Sequence, residues 1–110
     1  MARRAIKILD GDRNLVATAD VEILKGGFSG GVDTGRMPGP IRALFDEYEE
    51  IVNNQVFSLL DAVENRIGAI PFTVVFEDGR ESRAKDLQIF PGGGTISFQV
   101  TEPAMVGGGR

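Results

Sequence analysis

The sequence contains no cysteine, no histidine and no tryptophan, and its only tyrosine is Tyr48. Without cysteine the chain can form no disulfide framework. Without histidine and cysteine it also lacks the most common general base, the thiolate nucleophile and the usual zinc ligands. An enzyme built from this chain would depend on carboxylates, lysine, serine or Tyr48. We therefore expect a protein that is not an enzyme and that uses no cofactor or metal.

Long apolar segments and an excess of positive charge are also missing. No apolar run approaches the roughly 18 residues that a transmembrane helix needs, and no apolar segment follows the two arginines near the N-terminus. The formal net charge is −4, whereas a nucleic-acid-binding surface is normally basic. These absences predict a cytoplasmic protein that binds neither nucleic acid nor membrane.

The 110 residues fit one domain, and the composition is that of an ordinary globular protein. Pro103 ends the last periodic segment, and no pattern of apolar residues follows it. We therefore predict a single α+β domain over residues 1–103 and a flexible, glycine-rich C-terminal tail over residues 104–110.

Five strands are predicted from alternating apolar and polar residues. Their ranges are 5–9, 16–24, 72–76, 82–90 and 96–100. The residues expected on one face of the second strand are Ala17, Ala19, Val21 and Ile23. The first two strands are expected to form a hairpin, and Asp78-Gly79 predicts a second hairpin with a type I′ turn.

Residues 25–39 contain six glycines and are interpreted as a loop. Long loops in compact domains often bind partners, so the segment 26–39, with Phe28, is a candidate binding loop. It also contains Ser29 in a G-x-S-x-G pattern, but a hydrolase with this motif requires a histidine that the chain lacks.

A long amphipathic helix is predicted from Ile41 to Ile67, because apolar residues recur there at spacings of three and four. Gly39 and Pro40 suit its start, and Gly68 suits its end. The predicted apolar stripe consists of Ile41, Leu44, Phe45, Tyr48, Val52, Val56, Leu59, Leu60, Val63 and Ile67.

Phe57 falls on the polar face of this predicted helix, among Glu50, Asp61 and Glu64. It could pack under a loop. Alternatively it is an exposed anchor for a protein partner, because aromatic residues ringed by polar groups are common at interface centres.

Asp10-Gly-Asp-Arg-Asn14 matches the first three ligand positions of a calcium loop. The match then fails, because Leu15 stands where the loop needs glycine and Val21 where it needs glutamate. A hairpin turn held by local side-chain hydrogen bonds explains the same residues.

The predicted order of elements is therefore β-β-α-β-β-β. It indicates an α+β fold in which one long amphipathic helix packs on a four- to five-stranded, mostly antiparallel sheet.

The chain ends in Gly107, Gly108, Gly109 and Arg110. Glycines can adopt backbone angles that other residues cannot, and they pass where a Cβ atom would clash. With the order of elements, this ending resembles the ubiquitin-like β-grasp proteins, which include bacterial sulfur carriers and protein modifiers. The resemblance implies activation by an E1-like adenylating enzyme and an isopeptide bond through Gly109, after a processing protease removes Arg110. The alternative is a disordered end without a role.

Two main hypotheses of function follow. The first is a non-catalytic ubiquitin-like modifier or carrier. The second is a small acidic protein-interaction module, an adaptor or a toxin-neutralising (immunity-type) protein. It would bind its partner through the helix face of Phe57, Glu50, Asp61 and Glu64, or through the 26–39 loop. An enzyme that uses carboxylates is the third and weakest hypothesis.

Overall fold

The computed structural model describes residues 3–24 and 26–101, which form a closed six-stranded barrel with two helices. The strands are β1 (Arg3–Leu9), β2 (Leu15–Leu24), β3 (Gly27–Asp33), β4 (Thr73–Phe76), β5 (Glu81–Phe90) and β6 (Thr95–Thr101). The helices are α1 (Gly39–Asn53) and α2 (Leu60–Gly68), with a 3-10 turn at Phe57–Leu59 between them.

Two three-stranded meanders make up the barrel, β1-β2-β3 and β4-β5-β6. They join along two seams, where β3 pairs with β6 and β1 pairs with β4. Every pair is antiparallel. Closure of this kind leaves no strand of the described sheet with a free edge, which removes a common route to aggregation.

The predicted α+β, β-grasp-like architecture is therefore wrong both for the sheet and for the helix. The sheet has six strands and closes on itself, rather than four or five strands under a helix. The additional strand is β3, and it lies inside the glycine-rich segment 25–39 that was interpreted as a loop. Because β3 pairs with both β2 and β6, it is the strand that converts an open sheet into a barrel.

Glycine occurs in β3 because the neighbouring backbone approaches it too closely for a side chain. Gly30 pairs with Val21 of β2 and with Ile96 of β6. A Cβ atom on Gly30 would lie 1.9 Å from the carbonyl oxygen of Asp20 and 2.8 Å from the Cα atom of Val21. Glycine within a strand often marks such a close approach or a barrel corner, so this segment has strand geometry without the usual strand composition.

The predicted long helix is also wrong, because the chain leaves α1 through a left-handed residue. Gln55 has φ 58°. Its N–H donates to the carbonyl of Val52 at 3.2 Å, and the N–H of Val56 donates to the carbonyl of Ile51 at 3.1 Å. This pair of bonds is a Schellman motif, which commonly places glycine where Gln55 stands. The apolar spacing of three and four residues continues after the break because Leu60–Gly68 forms a second helix, α2.

The core lies inside the barrel and beneath the helices. On β2 the predicted burial of Ala17, Ala19 and Val21 is confirmed, but Ile23 at the strand end is 59% exposed. The helices bury Ile41, Phe45, Tyr48, Ile51, Val63 and Ile67. Val56 and Leu59 belonged to the predicted stripe, and they are exposed because they flank the helix break. Neither described helix is long and apolar enough to cross a membrane.

Two turns and one capping contact fix the ends of the elements. The carboxylate of Asp10 accepts hydrogen bonds from the backbone N–H groups of Asp12 and Asn14, which confirms the turn interpretation. In the β4–β5 hairpin only Gly79 has positive φ, so the turn is not type I′. The carboxylate of Glu49 on α1 accepts hydrogen bonds from the backbone N–H groups of Gly92 and Gly93, at 2.8 and 3.1 Å. These bonds connect the helix to the β5–β6 turn.

Replacing Gly30 by alanine is expected to lower the free energy of unfolding by about 2 kcal/mol or more, because the backbone of β2 would have to move away. Gly31→Ala is the matched control, since a Cβ atom there meets only the carbonyl oxygen of Gly94, at 3.9 Å. It should stay within about 0.5 kcal/mol of the wild type. Urea denaturation measures both variants, and equal losses would contradict the close approach of β2 and β3.

Candidate functional site

A cleft of about 490 Å³ opens between α2 and the wall of the barrel. One side is formed by α2 and the segment that leads from it to β4. The other side is formed by β3, β6 and β5, with Leu24 at the end of β2. The cleft therefore depends on the strand that closes the barrel.

Aromatic rings form the apolar part of the cleft lining. The ring of Phe28 on β3 stacks on that of Phe98 on β6, with centroids 5.1 Å apart and planes inclined by 16°. Phe28 also contacts Phe76, at a centroid distance of 5.6 Å. Phe72 and Leu87 also line the cleft and are almost entirely buried. The barrel core thus continues to the surface at this point.

A β-bulge in β5 shapes the rim of the cleft. The pairing with β6 changes from Lys85↔Gln99 to Gln88↔Ser97, so two residues of β5 occupy the space of one. Asp86 has φ 54° and is exposed at the rim, whereas Leu87 turns into the core. Bulges of this kind often re-aim side chains beside functional sites.

The polar groups of the lining are two hydroxyls, two amides and two carboxylates besides the phenol of Tyr48. They belong to Ser29, Ser97, Gln88, Gln99, Glu64 and Asp86. Glu64 comes from α2 and Asp86 from β5, so the two carboxylates stand on opposite walls. None of the described lining residues carries a positive charge.

Tyr48 reaches the cleft from α1, although its side chain is only 4% exposed. Its ring lies 5.5 Å from that of Phe90. No hydrogen bond to its hydroxyl forms within residues 3–24 and 26–101. The same part of the chain has no fully buried side-chain oxygen without a partner. The small exposed area of Tyr48 therefore includes its hydroxyl, at the cleft.

Burial raises the pKa of Tyr48 above the ordinary value of tyrosine, and the negative charge of Glu64 raises it further. The phenol is thus held in its neutral form, which can donate one hydrogen bond and accept others. Because the folded state holds this proton more tightly, the free energy of unfolding falls as the pH rises from the ordinary pKa through the raised one.

The structure brings together two of the five residues that the sequence proposed for partner binding. Phe28 and Glu64 both line the cleft, whereas Glu50, Asp61 and Phe57 do not. Phe57 is 58% exposed on the 3-10 turn, with the exposed Val56 and Leu59 beside it. It therefore does not pack under a loop, and its role as a partner anchor stays a prediction.

The C-terminal residues Gly107, Gly108, Gly109 and Arg110 lie outside the described residues. Their role in conjugation and processing stays a prediction, as does the tail assigned to residues 104–110. The order of elements no longer supports it, because the described domain is a barrel rather than a β-grasp fold.

Sequence reasoning missed Tyr48 and Asp86 as site residues. Tyr48 was assigned to the helix stripe, which is correct for its ring but not for its hydroxyl. The sequence carries a signal for the bulge in β5, where the apolar residues shift from an even position at Ala84 to odd positions at Leu87 and Ile89. A change of parity within one strand indicates an extra residue.

Comparisons with protein-family models, with curated proteins and with solved structures gave no match. The geometry of the site is therefore the basis for assigning a function. Among the described residues, no group of three or more acidic side chains is placed to hold a metal ion.

Replacing Glu64 by glutamine is expected to lower the pKa of Tyr48 while leaving it above the ordinary value. The decrease should be less than half of the total rise, because burial is the larger cause. Since Tyr48 is the only tyrosine, tyrosinate absorbance in a pH titration measures this group alone. Asp61→Asn is the control, because Asp61 is an exposed acid on the same helix outside the cleft. An equal decrease in both variants would contradict the placement of Glu64.

Proposed function

We propose that this protein is a non-catalytic binding protein that takes a small organic ligand with an apolar body into the cleft. The observation that carries the proposal is the combination of a stacked aromatic wall with the hydroxyl of Tyr48, which opens to the cleft and has no partner among the described residues. A hydroxyl in this position can donate one hydrogen bond to a ligand and accept others. Such polar groups fix the orientation of a ligand whose body packs on apolar walls.

The size and lining of the cleft support a small ligand. Binding pockets for small molecules typically measure roughly 300–1,000 Å³ and combine apolar walls with a few convergent polar groups. The cleft, at about 490 Å³, falls within this range and has both kinds of group. One of its two sides is formed by three strands, each paired on both edges, so that wall is largely preformed. A preformed site reduces the entropy lost on binding.

The chemistry of the lining supports binding rather than catalysis. The chain contains no histidine or cysteine, so Ser29 and Ser97 have no imidazole to activate them. Glu64 and Asp86 are exposed to solvent, whereas carboxylates that act as catalytic acids or bases usually lie in buried or strongly charged surroundings. These groups are suited to orient a ligand.

Filling the cleft is expected to abolish binding. A Cβ atom on Gly68 meets no atom within 4 Å, and Gly68 lines the cleft, so Gly68→Trp is designed to place an indole there without a clash at the Cβ position. Gly39→Trp is the matched control, because Gly39 also lies in a helix with open space around it but outside the cleft. The neutral apolar dye Nile red, whose fluorescence rises in apolar surroundings, is the probe.

The wild type and Gly39→Trp should bind the dye alike, and Gly68→Trp should bind it at least about tenfold more weakly, which corresponds to about 1.4 kcal/mol. Thermal unfolding verifies that both variants are folded. Equal binding by the two variants would contradict the cleft as the binding site, and absence of binding to the wild type would contradict the proposed function.

A further inference from the structure

We infer that the ligand is an organic cation, with an ammonium or guanidinium group held at the rim of the cleft and an aromatic or aliphatic body placed against Phe28 and Phe98. This inference rests on the proposed function and adds the chemical class of the ligand. Three features of the cleft support it: its charges, the hydroxyl of Tyr48 and the partly exposed aromatic ring of Phe28.

The first feature is a pair of carboxylates that have no partner in the described structure. Glu64 and Asp86 take no part in the ion pairs found within residues 3–24 and 26–101. Arg66, two positions after Glu64 on α2, pairs instead with Glu47 of α1 at 2.6 Å. The two carboxylates face a cleft without a described cation, so they attract a positive group and repel an anionic one.

The second feature is Tyr48, which is only 4% exposed and lines the same cleft as Glu64. Its oxygen can accept a hydrogen bond from an ammonium or guanidinium N–H group. Glu64 is close enough to raise the pKa of Tyr48 through its charge. A cation near Glu64 would therefore also be near the phenol, and it would offset the repulsion between the carboxylate and any negative charge that develops on the ring.

The third feature is the aromatic wall. Phe28 is partly exposed and stacks on Phe98, so ring surface is accessible from the cleft. Ring faces attract cations and also pack well against apolar groups. Carboxylates at the rim and rings below them match a molecule with a charged end and an apolar end.

A series of three probes that differ in one group tests the inference. The probes are 2-phenylethylammonium, the neutral 2-phenylethanol and the anionic 3-phenylpropionate, titrated at neutral pH and followed by the backbone amide NMR signals of Ser97 and Gln99. The ammonium should bind about tenfold more tightly than the alcohol, as for one charge-assisted contact at a partly exposed site. The carboxylate should bind most weakly. Added salt should weaken only the binding of the ammonium.

Paired variants locate the charge effect. The double variant Glu64→Gln with Asp86→Asn should lose the preference for the ammonium while it keeps the affinity for the alcohol. Asparagine tolerates the left-handed backbone of Asp86. Glu50→Gln with Asp61→Asn is the matched control, because it changes the net charge equally at exposed acids outside the cleft. It should keep the preference for the ammonium.

The outcomes separate this inference from the proposed function. If none of the probes and no Nile red binds, the proposed function fails. If the alcohol or the carboxylate binds as tightly as the ammonium, the cleft binds ligands but the inference of a cation is wrong. A short peptide with an internal lysine beside phenylalanine is a further probe: tight binding of the peptide without binding of the free ammonium would overturn a small molecule as the ligand. The salt dependence of the wild type tests the inference even if a variant fails to fold.

Discussion

The close approach of β2 and β3 at Gly30 is the constraint on which the rest of the structure depends. With the carbonyl oxygen of Asp20 1.9 Å from the position of a Cβ atom, only glycine fits there. This approach lets β3 lie between β2 and β6. The two meanders then join into a barrel, and every strand of the described sheet is paired on both sides. Without this contact the same strands would form an open sheet with free edges.

The cleft is a consequence of that closure. Once β3 and β6 are adjacent, Phe28 stacks on Phe98 and forms the aromatic wall. The bulge in β5 then exposes Asp86 beside this wall, and the break at Gln55 lets α2 turn so that Glu64 faces it from the opposite side. A single long helix would not place Glu64, Ile67 and Gly68 in this way. The site is therefore built from three irregular features: the close approach at Gly30, the bulge in β5 and the helix break at Gln55. Each departs from ideal strand or helix geometry, and such departures often accompany function.

These irregular features also explain how much could be predicted from the sequence. The strands β1, β2, β4, β5 and β6 were predicted nearly to their observed ends, because their side chains alternate in polarity and burial. β3 was missed because a strand rich in glycine has almost no side-chain alternation to detect. The helix break was missed because Gln55 occupies a position where glycine would have been the signal.

Phe28 and Glu64 were identified as candidates on two separate elements, but only the fold shows that they share a cleft. Tyr48 and Asp86 were not identified, since one is a core residue by pattern and the other depends on a bulge.

Amide hydrogen exchange of the segment Gly27–Asp33, resolved by NMR, tests barrel closure most directly. If β3 joins β2 to β6, its hydrogen-bonded amides should exchange orders of magnitude more slowly than those of an unfolded chain, and about as slowly as those of β2. If they exchange as fast as an exposed loop while β2 and β5 stay protected, the barrel is open. The cleft then lacks its aromatic wall, and the account of the site is contradicted.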